Sequence, residues 1–442
     1  MIEEPTLDSL VQWLDTHINY ERTGMETGAT SQHDPARRLQ LLRTFMDIMD
    51  NPQLAYPSIH LTGTNGKTST SRMVTALIMA QGLRAGTYTS PHLSRMNERI
   101  QVNGESISNA ELFELLLSLQ LLEPLLDGEQ LSYFELVTAA AFRHFADAPV
   151  EVGVVEVGVG GKWDATNIFD AHVAVVTNVG LDHLNYLGPT RDDIAEHKAG
   201  IVKPQSALVL AEPDEHLHPC FTRRTEAPVY LVGRDFSADN DRVAVGGRLV
   251  DLRTPNAQYE DVFVALHGPH QSRNAATALM AVEAFFGQPL KDDVVREAFA
   301  AVTSPGRLEV VSRRPLCVID GAHNEAGAQA LVQALDEEFA VNGRRVLVIG
   351  LLDPHEPKPL LEALRADKTR LVIACQPDSP RAVPATAIAE AAKAFGVPVV
   401  VVEDPAAAAR EALASATEDD LVVITGSLYV VGAARDALLS TD

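Results

Sequence analysis

Short apolar runs alternate with stretches of helical periodicity along most of this 442-residue chain. Continuous apolar runs bounded by turn residues are typical of strands that are buried on both faces of a parallel sheet. Before residue 304 they predict strands that start at Ile59 and span 84–89, 150–157, 173–177 and 207–211. Helices are predicted over 68–81, 271–286 and 292–302, and after three capping pairs: Ser108 with Glu111, Ser132 with Glu135, and Thr190 with Asp193. This pattern predicts an α/β domain with a parallel sheet.

Two segments do not follow this alternation. The stretch from Thr16 to Asp34 is polar and has no packing pattern, so we expect a flexible loop that flanks the functional site. From Pro213 to Leu266 the pattern weakens into short β-like pieces around Gly246-Gly247. Elsewhere, the dipeptide Asn103-Gly104 predicts a tight hairpin turn.

A second strand and helix alternation follows the helix-breaking segment Ser304-Pro305-Gly306. Its strands are predicted at 316–320, 345–350, 370–374, 398–402 and 421–424, each followed by a helix. We therefore predict two domains, residues 1–303 and 304–442. The predicted fold class is α/β, with an N-terminal P-loop NTPase-like parallel sheet domain and a smaller C-terminal Rossmann-like α/β domain.

Composition and charge restrict the partners of this protein. A formal net charge of −24 repels nucleic acid and anionic membranes, so we expect neither as a partner. The acidic N-terminus has no signal-peptide pattern, and the chain has no run of 18 apolar residues. Three widely spaced cysteines indicate buried thiols in a reducing compartment. These features predict a cytoplasmic protein; we expect a monomer, although no pattern in the sequence decides the oligomeric state.

The segment IHLTGTNGKTST, residues 59–70, predicts a phosphate-binding turn. Gly63 and Gly66 lack the Cβ atoms that would keep the backbone away from a ligand. Successive N–H groups can therefore point at phosphate oxygens at the positive end of the following helix. Lys67 adds a cation, and Thr68 or Ser69 adds a hydroxyl group. The strict phosphate-loop motif requires a glycine where this chain has Leu61, so the match is imperfect.

Polar residues collect at the predicted carboxyl ends of the strands, where ligands bind in open α/β sheets. In the first domain this edge carries Lys67, Thr68, Ser69, Ser90, His92, Glu156, Asp182 and His183, with Lys198 one helix later. A phosphate loop, a hydroxyl and a carboxylate at one edge are what a Mg²⁺-nucleotide site requires. In the second domain Asp320, His323 and Ser427 occupy equivalent positions. A second reactive edge suggests an interdomain cleft that holds a second substrate.

Each of these residues also has an ordinary structural interpretation. A glutamate at a strand end is commonly a solvated carboxylate, and a lone histidine is commonly a satisfied hydrogen-bonding group. Lys198 lies near the end of a predicted helix, where a lysine usually complements the helix dipole. The glycines of GVGG at 158–161 suggest dinucleotide binding, but that motif requires a glycine where this chain has Trp163.

Several segments together carry a resemblance to a known family: GTNGK (63–67), TSPHL (89–93), ERI (98–100), GVGGKWDATN (158–167), HKAGI (197–201), SPGRLE (304–309), DGAHN (320–324) and GSLY (426–429). They resemble the folylpolyglutamate synthase and dihydrofolate synthase family of the ATP-dependent Mur ligase superfamily, over nearly the whole chain. The resemblance implies an ATP-binding Mur ligase-type domain followed by a C-terminal glutamate-ligase domain.

The resemblance also implies roles for individual residues. It implies Mg²⁺ ligands at Ser90, Glu156 and His183, and a carbamate on Lys198. Catalytic roles are implied for Lys67, Lys198, Asp320 and His323. Nucleotide contacts are implied at Gly63, Thr64, Asn65, Gly66, Lys67, Thr68, Ser69, Gln271, Asn274, Arg307 and Asp320, and substrate contacts at Pro91, His92, Arg99 and Ser427. The chain departs from the family pattern at Glu325, where a proline is common, and at LLDPHEPKP (351–359), which replaces a DKD-like segment.

The function that the resemblance implies is ATP-dependent addition of L-glutamate to dihydropteroate, to tetrahydrofolates, or to both, through an acyl phosphate. The expected cofactors are ATP, two Mg²⁺ ions and the carbamylated Lys198. One alternative is a Mur-type ligase for a cell-wall precursor, against which SPH at 90–92 and GSLY argue. A nucleotide-driven switch or motor and a catalytically silent relative are the others.

Overall fold

The computed structural model describes residues 5–24 and 34–440. The chain divides into two compact units. The first comprises Met1–Asn240, Val250–Phe263 and Arg273–Val302, and the second comprises Asp241–Leu249, Val264–Ser272 and Thr303–Asp442. Within the described ranges, no helix combines the length and the apolar composition needed to cross a bilayer.

The first unit contains an eight-stranded sheet with the strand order β4-β3-β2-β5-β1-β6-β7-β8. Its strands are β1 (Ser58–Thr62), β2 (Ala85–Tyr88), β3 (Ile100–Val102), β4 (Glu105–Ser106), β5 (Val152–Glu156), β6 (Val173–Val176), β7 (Ala207–Leu210) and β8 (Val229–Leu231). The six strands from β2 to β8 in this order are parallel, and β3 and β4 add an antiparallel edge. β1, β2, β5 and β6 are buried along their whole length, as their continuous apolar sequences predict.

Helices of the first unit pack against this sheet. They are α1 (Leu7–Asp15), α2 (Tyr20–Thr23), α3 (Pro35–Ile48), α4 (Lys67–Ala80), α5 (Asn109–Leu122), α6 (Tyr133–Asp147), α7 (Leu184–Leu187), α8 (Arg191–Lys198), α9 (His218–Thr222), α10 (Pro269–Phe286, which begins in the second unit) and α11 (Asp292–Ala301). The three predicted capping pairs are confirmed, because each N-cap hydroxyl accepts a backbone hydrogen bond at the start of α5, α6 or α8. The Asn103-Gly104 hairpin between β3 and β4 is also confirmed, with φ angles of 51° and 75°.

The expectation of a flexible loop from Thr16 to Asp34 is wrong for the part that the structure describes. Residues 20–23 form α2, which Asn19 caps through its side chain. His17 is buried, and its Nε2 lies 2.9 Å from Glu123 Oε2. The partners of this segment lie about a hundred residues away, so a local pattern search does not find them. The rest of that prediction, residues 25–33, lies outside the described residues.

The weakly patterned stretch forms longer strands than the sequence predicts. β9 (Ser237–Ala244), β10 (Gly247–Arg253) and β11 (Gln258–Val264) form a three-stranded sheet in the order β11-β10-β9. β9 and β11 alternate between partly buried and exposed positions, and β10 alternates between buried and partly buried ones. Their apolar signal is therefore diluted, as expected for strands that face water on one side.

The second unit is a smaller α/β fold around a six-stranded sheet with the order β12-β13-β17-β14-β15-β16. The strands are β12 (Glu309–Arg313), β13 (Leu316–Ile319), β14 (Arg345–Ile349), β15 (Thr369–Ala374), β16 (Val399–Val401) and β17 (Leu421–Thr425). The helices are α12 (Glu325–Glu338), α13 (Pro357–Ala363), α14 (Ala385–Lys393), α15 (Pro405–Ser415) and α16 (Leu428–Leu439). Only β12 is antiparallel to its neighbour. The predicted fold class is confirmed.

Candidate active site

The glycine turn after β1 has the geometry that the sequence predicts. Gly66 has a φ of +83° and is followed directly by Lys67, the first residue of α4. A Cβ atom on Gly66 would lie 2.8 Å from Asn274 Oδ1, so both the backbone conformation and the close approach require glycine. Lys67 Nζ donates hydrogen bonds to the carbonyl oxygens of Gly63 (2.9 Å) and Thr64 (3.4 Å). The lysine therefore lies over the turn that it follows.

Residues after β6 hold this turn in place. The backbone N–H of Asn65 donates to Asn178 Oδ1, and Asn178 Nδ2 donates back to the Asn65 carbonyl, both at 2.9 Å. Thr177 Oγ1 donates to the same carbonyl at 2.7 Å. A Cβ atom on Gly63 would lie only 1.8 Å from Thr177 Oγ1. Sequence reasoning missed both residues as site residues, although their place at the end of a neighbouring strand was a usable signal.

The sheet order brings the predicted site residues of the first unit to one edge. β2, β5, β1 and β6 are adjacent and parallel, and Leu61 of β1 pairs with Glu156, the last residue of β5. Ser90 and Pro91 follow β2, the glycine turn follows β1, and Asp182 and His183 follow β6. Four neighbouring strand ends therefore carry a hydroxyl, a carboxylate, a phosphate-type turn and an imidazole.

Burial differs among the residues at this edge. Glu156 is 1% exposed, and its Oε1 accepts a hydrogen bond of 3.0 Å from Thr68 Oγ1. Ser69 and Ser90 are also buried. The side chain of His183 is 47% exposed, and its backbone has a left-handed φ of 51°. Glu156 is thus fixed in place, whereas His183 faces solvent.

The donor set fits Mg²⁺ that is shared with a phosphorylated ligand. Among residues 5–24 and 34–440, no group of three or more His, Cys, Asp and Glu side chains is placed to hold a metal alone. Mg²⁺ does not need such a group, because proteins commonly bind it through one or two carboxylates plus substrate phosphates. The carboxylate of Glu156 and the hydroxyl of Ser90, beside the phosphate-type turn, are oxygen donors of this kind.

Lys198 is buried at the end of α8, with 2% of its surface exposed. Burial, and to a smaller extent the positive charge of Lys67, hold the pKa of the Lys198 amine well below its usual value, while Asp182 opposes this shift. A lysine that only complements a helix dipole would keep its ammonium in water. The buried position does not fit that interpretation.

The segment after β2 contains a buried charge pair that the sequence did not indicate. Arg99 is 1% exposed, and its guanidinium donates to both Glu21 oxygens, at 2.9 and 2.5 Å. Arg99 Nε also donates to His92 Nδ1 at 2.8 Å. Burial and the adjacent Arg99 charge lower the pKa of His92 to about 4, so this imidazole is neutral at pH 7 and can accept that bond. This geometry favours a role for Arg99 in positioning His92.

Replacing Arg99 with methionine is expected to lower the free energy of unfolding by about 2–3 kcal/mol, because Glu21 would lose its buried partner. Urea unfolding measures this change. The control is Arg37→Met, whose ion-pair partner Glu129 is half exposed, so the loss should be below about 1 kcal/mol. If Arg99 instead contacted substrate directly, the variant would keep its stability and show only a raised KM.

In the second unit, the carboxylate of Asp320 is enclosed by backbone. Its two oxygens accept hydrogen bonds from the N–H groups of Leu308 (2.9 Å) and Ala322 (2.8 Å). Burial raises the pKa of this carboxyl, and the charge of Arg307 and the two backbone bonds oppose the shift. A Cβ atom on Gly321 would lie 2.6 Å from Arg307 Nη1, so the guanidinium covers this loop. Asp320 thus fixes the loop that follows β13.

His323 and the departing segment meet in the same unit. His323 Nδ1 lies 2.9 Å from the Gly321 carbonyl, which can only accept, so this nitrogen is the donor. The ring of His355, within the segment 351–359, has its centroid 5.4 Å from that of His323. Ser427 caps α16 and is buried, whereas Glu325 is exposed at the start of α12. Gln271 is buried near the start of α10.

Comparison with known proteins agrees with this arrangement. The model of the Mur ligase middle domain matches residues 61–282, and that of the Mur ligase glutamate ligase domain matches residues 306–428. A dihydrofolate synthase/folylpolyglutamate synthase of Mycobacterium tuberculosis is 38% identical, over 98% of this chain and 95% of that protein. This chain belongs to the dihydrofolate synthase/folylpolyglutamate synthase family of Mur ligases.

Solved structures of the family have the same fold. The M. tuberculosis folylpolyglutamate synthase complexed with ADP superposes with a TM-score of 0.89 at 38% identity, covering 98% of both chains. The bifunctional enzyme of Yersinia pestis, complexed with AMPPNP and a Mn ion, gives a TM-score of 0.83 at 29% identity, over 99% of this chain and 100% of that one. Proteins of this family are ATP-dependent ligases, and the cell-wall and switch alternatives receive no support from these relatives.

Proposed function

We propose that this protein uses ATP to join L-glutamate to the carboxylate of dihydropteroate or of a tetrahydrofolate. The observation that carries the proposal is the convergence of the glycine turn, Glu156 and Lys198's neighbour Asp182 at adjacent strand ends. A carboxylate does not acylate an amine in neutral water, so it must first be activated. Transfer of the γ-phosphoryl group gives an acyl phosphate, which the glutamate amine then attacks with loss of phosphate.

The glycine turn and Lys67 would hold the phosphate groups. The backbone N–H groups at the start of α4 point outward at the positive end of the helix dipole. An ammonium group has three donors, so Lys67 can keep its two backbone bonds and direct the third to a phosphate oxygen. Asn274, which lies against Gly66, and the buried Gln271 are proposed nucleotide contacts. Fixed donors of this kind stabilise the charge of the transferring group.

Glu156, Ser90 and His183 are the proposed metal ligands. Mg²⁺ supplies positive charge that offsets the charge of the phosphate oxygens. Thr68 orients Glu156 by donating to its Oε1, so one carboxylate oxygen is committed to the turn. A carbamate on Lys198 would add further oxygen donors, and this chain would then fit two ions rather than one.

In the second unit, His323 is the proposed base for the incoming amine. Because its Nδ1 donates to the Gly321 carbonyl, a neutral imidazole carries its lone pair on Nε2. Nε2 can therefore accept a proton from the glutamate ammonium. Asp320 keeps the loop in position, and Arg307 is a proposed nucleotide contact beside it. Ser427 and His92 are proposed substrate contacts, and residues 304–442 are proposed as the glutamate-ligase domain.

A turnover assay tests the proposed function. The purified chain is supplied with ATP, Mg²⁺, L-glutamate and either dihydropteroate or tetrahydrofolate, and both ADP and glutamylated product are measured. We expect one ADP for each amide bond, with no ADP release when glutamate is omitted. Phosphate release without glutamate would contradict the proposal, and the product from each acceptor decides whether one or both additions are catalysed.

Replacing Glu156 with glutamine is expected to raise the Mg²⁺ concentration needed for half-maximal activity about 10–100-fold, since one anionic oxygen ligand is lost. Activity is measured over a Mg²⁺ titration at saturating ATP. Glu151→Gln, just before the opposite end of β5, is the matched control and should leave the titration unchanged. Identical titrations for both variants would place the metal elsewhere.

A further inference from the structure

The first unit contains a basic cavity that the proposed chemistry does not use. Its volume is about 270 Å³. α3, the loop after β5 and the segment after α8 supply most of its wall, and its charged residues are Arg43, Lys162, Lys203 and Arg224. Ligand pockets for whole drug-sized molecules begin at about 300 Å³, so this cavity suits a small ligand or a segment of a longer one.

The four cations lie close enough to affect one another. Partial burial lowers the pKa of Lys203, and the charges of Arg43 and Arg224 lower it further, while Asp170 opposes them. Glu196 also offsets part of the charge, because it accepts a 2.6 Å hydrogen bond from Arg224. Four cations therefore face two carboxylates in a protein whose net charge is −24. This local surplus of positive charge is a site for an anion.

The walls of the cavity are tied to the segment that carries Lys198. The backbone N–H of Lys162 donates to the His197 carbonyl at 2.7 Å. Asn167 Nδ2 donates to the carbonyls of Lys162 (3.1 Å) and Gly200 (3.2 Å). The ammonium of Lys162 lies 4.8 Å from the centre of the Trp163 ring. A ligand in the cavity thus contacts the backbone on both sides of Lys198.

We propose that this cavity binds part of a γ-linked oligoglutamate tail on a folate substrate or product. The proposal rests on the proposed function, which makes such tails. Each added γ-linked glutamate brings one more carboxylate, so the tail becomes a flexible polyanion that the rest of this acidic surface repels. Arg and Lys side chains at one small cavity give it charge-assisted hydrogen bonds. A phosphate-rich ligand shares the same anionic chemistry, and the experiment separates the two.

Binding of free γ-linked tetraglutamate tests the proposal independently of catalysis. The chain has two tryptophans, Trp13 and Trp163, so a Trp13→Phe background reports Trp163 fluorescence alone. We expect tetraglutamate to change this fluorescence, with affinity that falls as salt rises. In that background, Arg43→Gln with Lys162→Gln should weaken binding about tenfold or more. The matched control, Arg37→Gln with Arg410→Gln, removes two exposed cations outside the cavity and should change affinity less than about twofold.

Three results would overturn the proposal: no binding of tetraglutamate, equal weakening in the cavity and control variants, or binding of tripolyphosphate without tetraglutamate. Kinetics give a second reading on the intact enzyme. The cavity variant should raise the KM for a tetraglutamyl folate and leave the KM for the monoglutamyl form unchanged. If no substrate is turned over by the unmodified chain, the proposed function fails, whereas the binding result still decides the ligand of the cavity.

Discussion

Replacing Lys67 with alanine is expected to lower ligase turnover by about 10²–10³-fold while the protein remains folded. The lysine is the first residue of α4 and lies over the glycine turn, where its ammonium bonds two backbone carbonyls. Its removal leaves the turn without a cation at the point where negative charge develops on the transferring phosphoryl group. The loss should be mainly in kcat, because that interaction is strongest in the transition state.

The control for this variant is Lys291→Ala, which removes the same charge from an exposed position before α11. Its kcat should equal that of the unmodified chain. Urea unfolding of both variants distinguishes a catalytic loss from a folding defect. A folded Lys67→Ala protein with near-normal kcat would contradict the proposed role.

The phosphate turn and the sheet around it could be predicted from the sequence because their signals are local. A buried strand, two glycines, a lysine and a helix follow one another within residues 58–80. The collection of residues at the strand ends was also predictable, since parallel strands share one edge. The structure adds the order β2-β5-β1-β6, which makes these ends neighbours.

Contacts between distant segments could not be predicted in this way. Glu21 and Arg99 are 78 residues apart, and Glu21 lies in a segment with no hydrophobic periodicity. Asn178 and Asn65 are 113 residues apart, although their mutual hydrogen bonds define the turn. A pattern of apolar positions identifies which face of an element is buried, but it does not identify the polar partner on another element.

The burial of Lys198 is another property that the sequence could not supply. The sequence places it near a helix end, where a lysine is usually solvated. In the structure the end of α8 lies against the loop after β5: a Cβ on Gly161 would be 3.0 Å from the Lys198 carbonyl. Close packing of these two backbones removes the lysine from water, and that burial gives its substitution a distinctive expected outcome.

Lys198→Ala is expected to lose ligase activity by about 100-fold or more, and added formate or acetate should restore part of it. In the proposed carbamate, the amine lone pair forms a bond to the carbon of CO₂, one C=O electron pair moves to oxygen, and a proton leaves to solvent. The product is an anionic oxygen ligand in place of a cation. A small carboxylic acid can occupy the space left by alanine and supply similar oxygens.

Lys198→Arg distinguishes the carbamate from a purely electrostatic role. A guanidinium keeps the positive charge but cannot supply oxygen ligands, so this variant should stay inactive with or without added acid. If Lys198 only complements the dipole of α8, arginine should substitute with little loss and acids should have no effect. Rates of both variants are measured with and without acetate, beside Lys291→Ala as the control.

A spectroscopic measurement completes the test, because it does not depend on turnover. Unmodified protein equilibrated with ¹³C-labelled CO₂ and Mg²⁺ should show a carbamate carbon signal that is absent from Lys198→Ala and Lys198→Arg. Removal of CO₂ should lower both this signal and the ligase rate. An active Lys198→Arg enzyme, or a carbamate signal that persists in Lys198→Ala, would exclude this residue as the modified lysine.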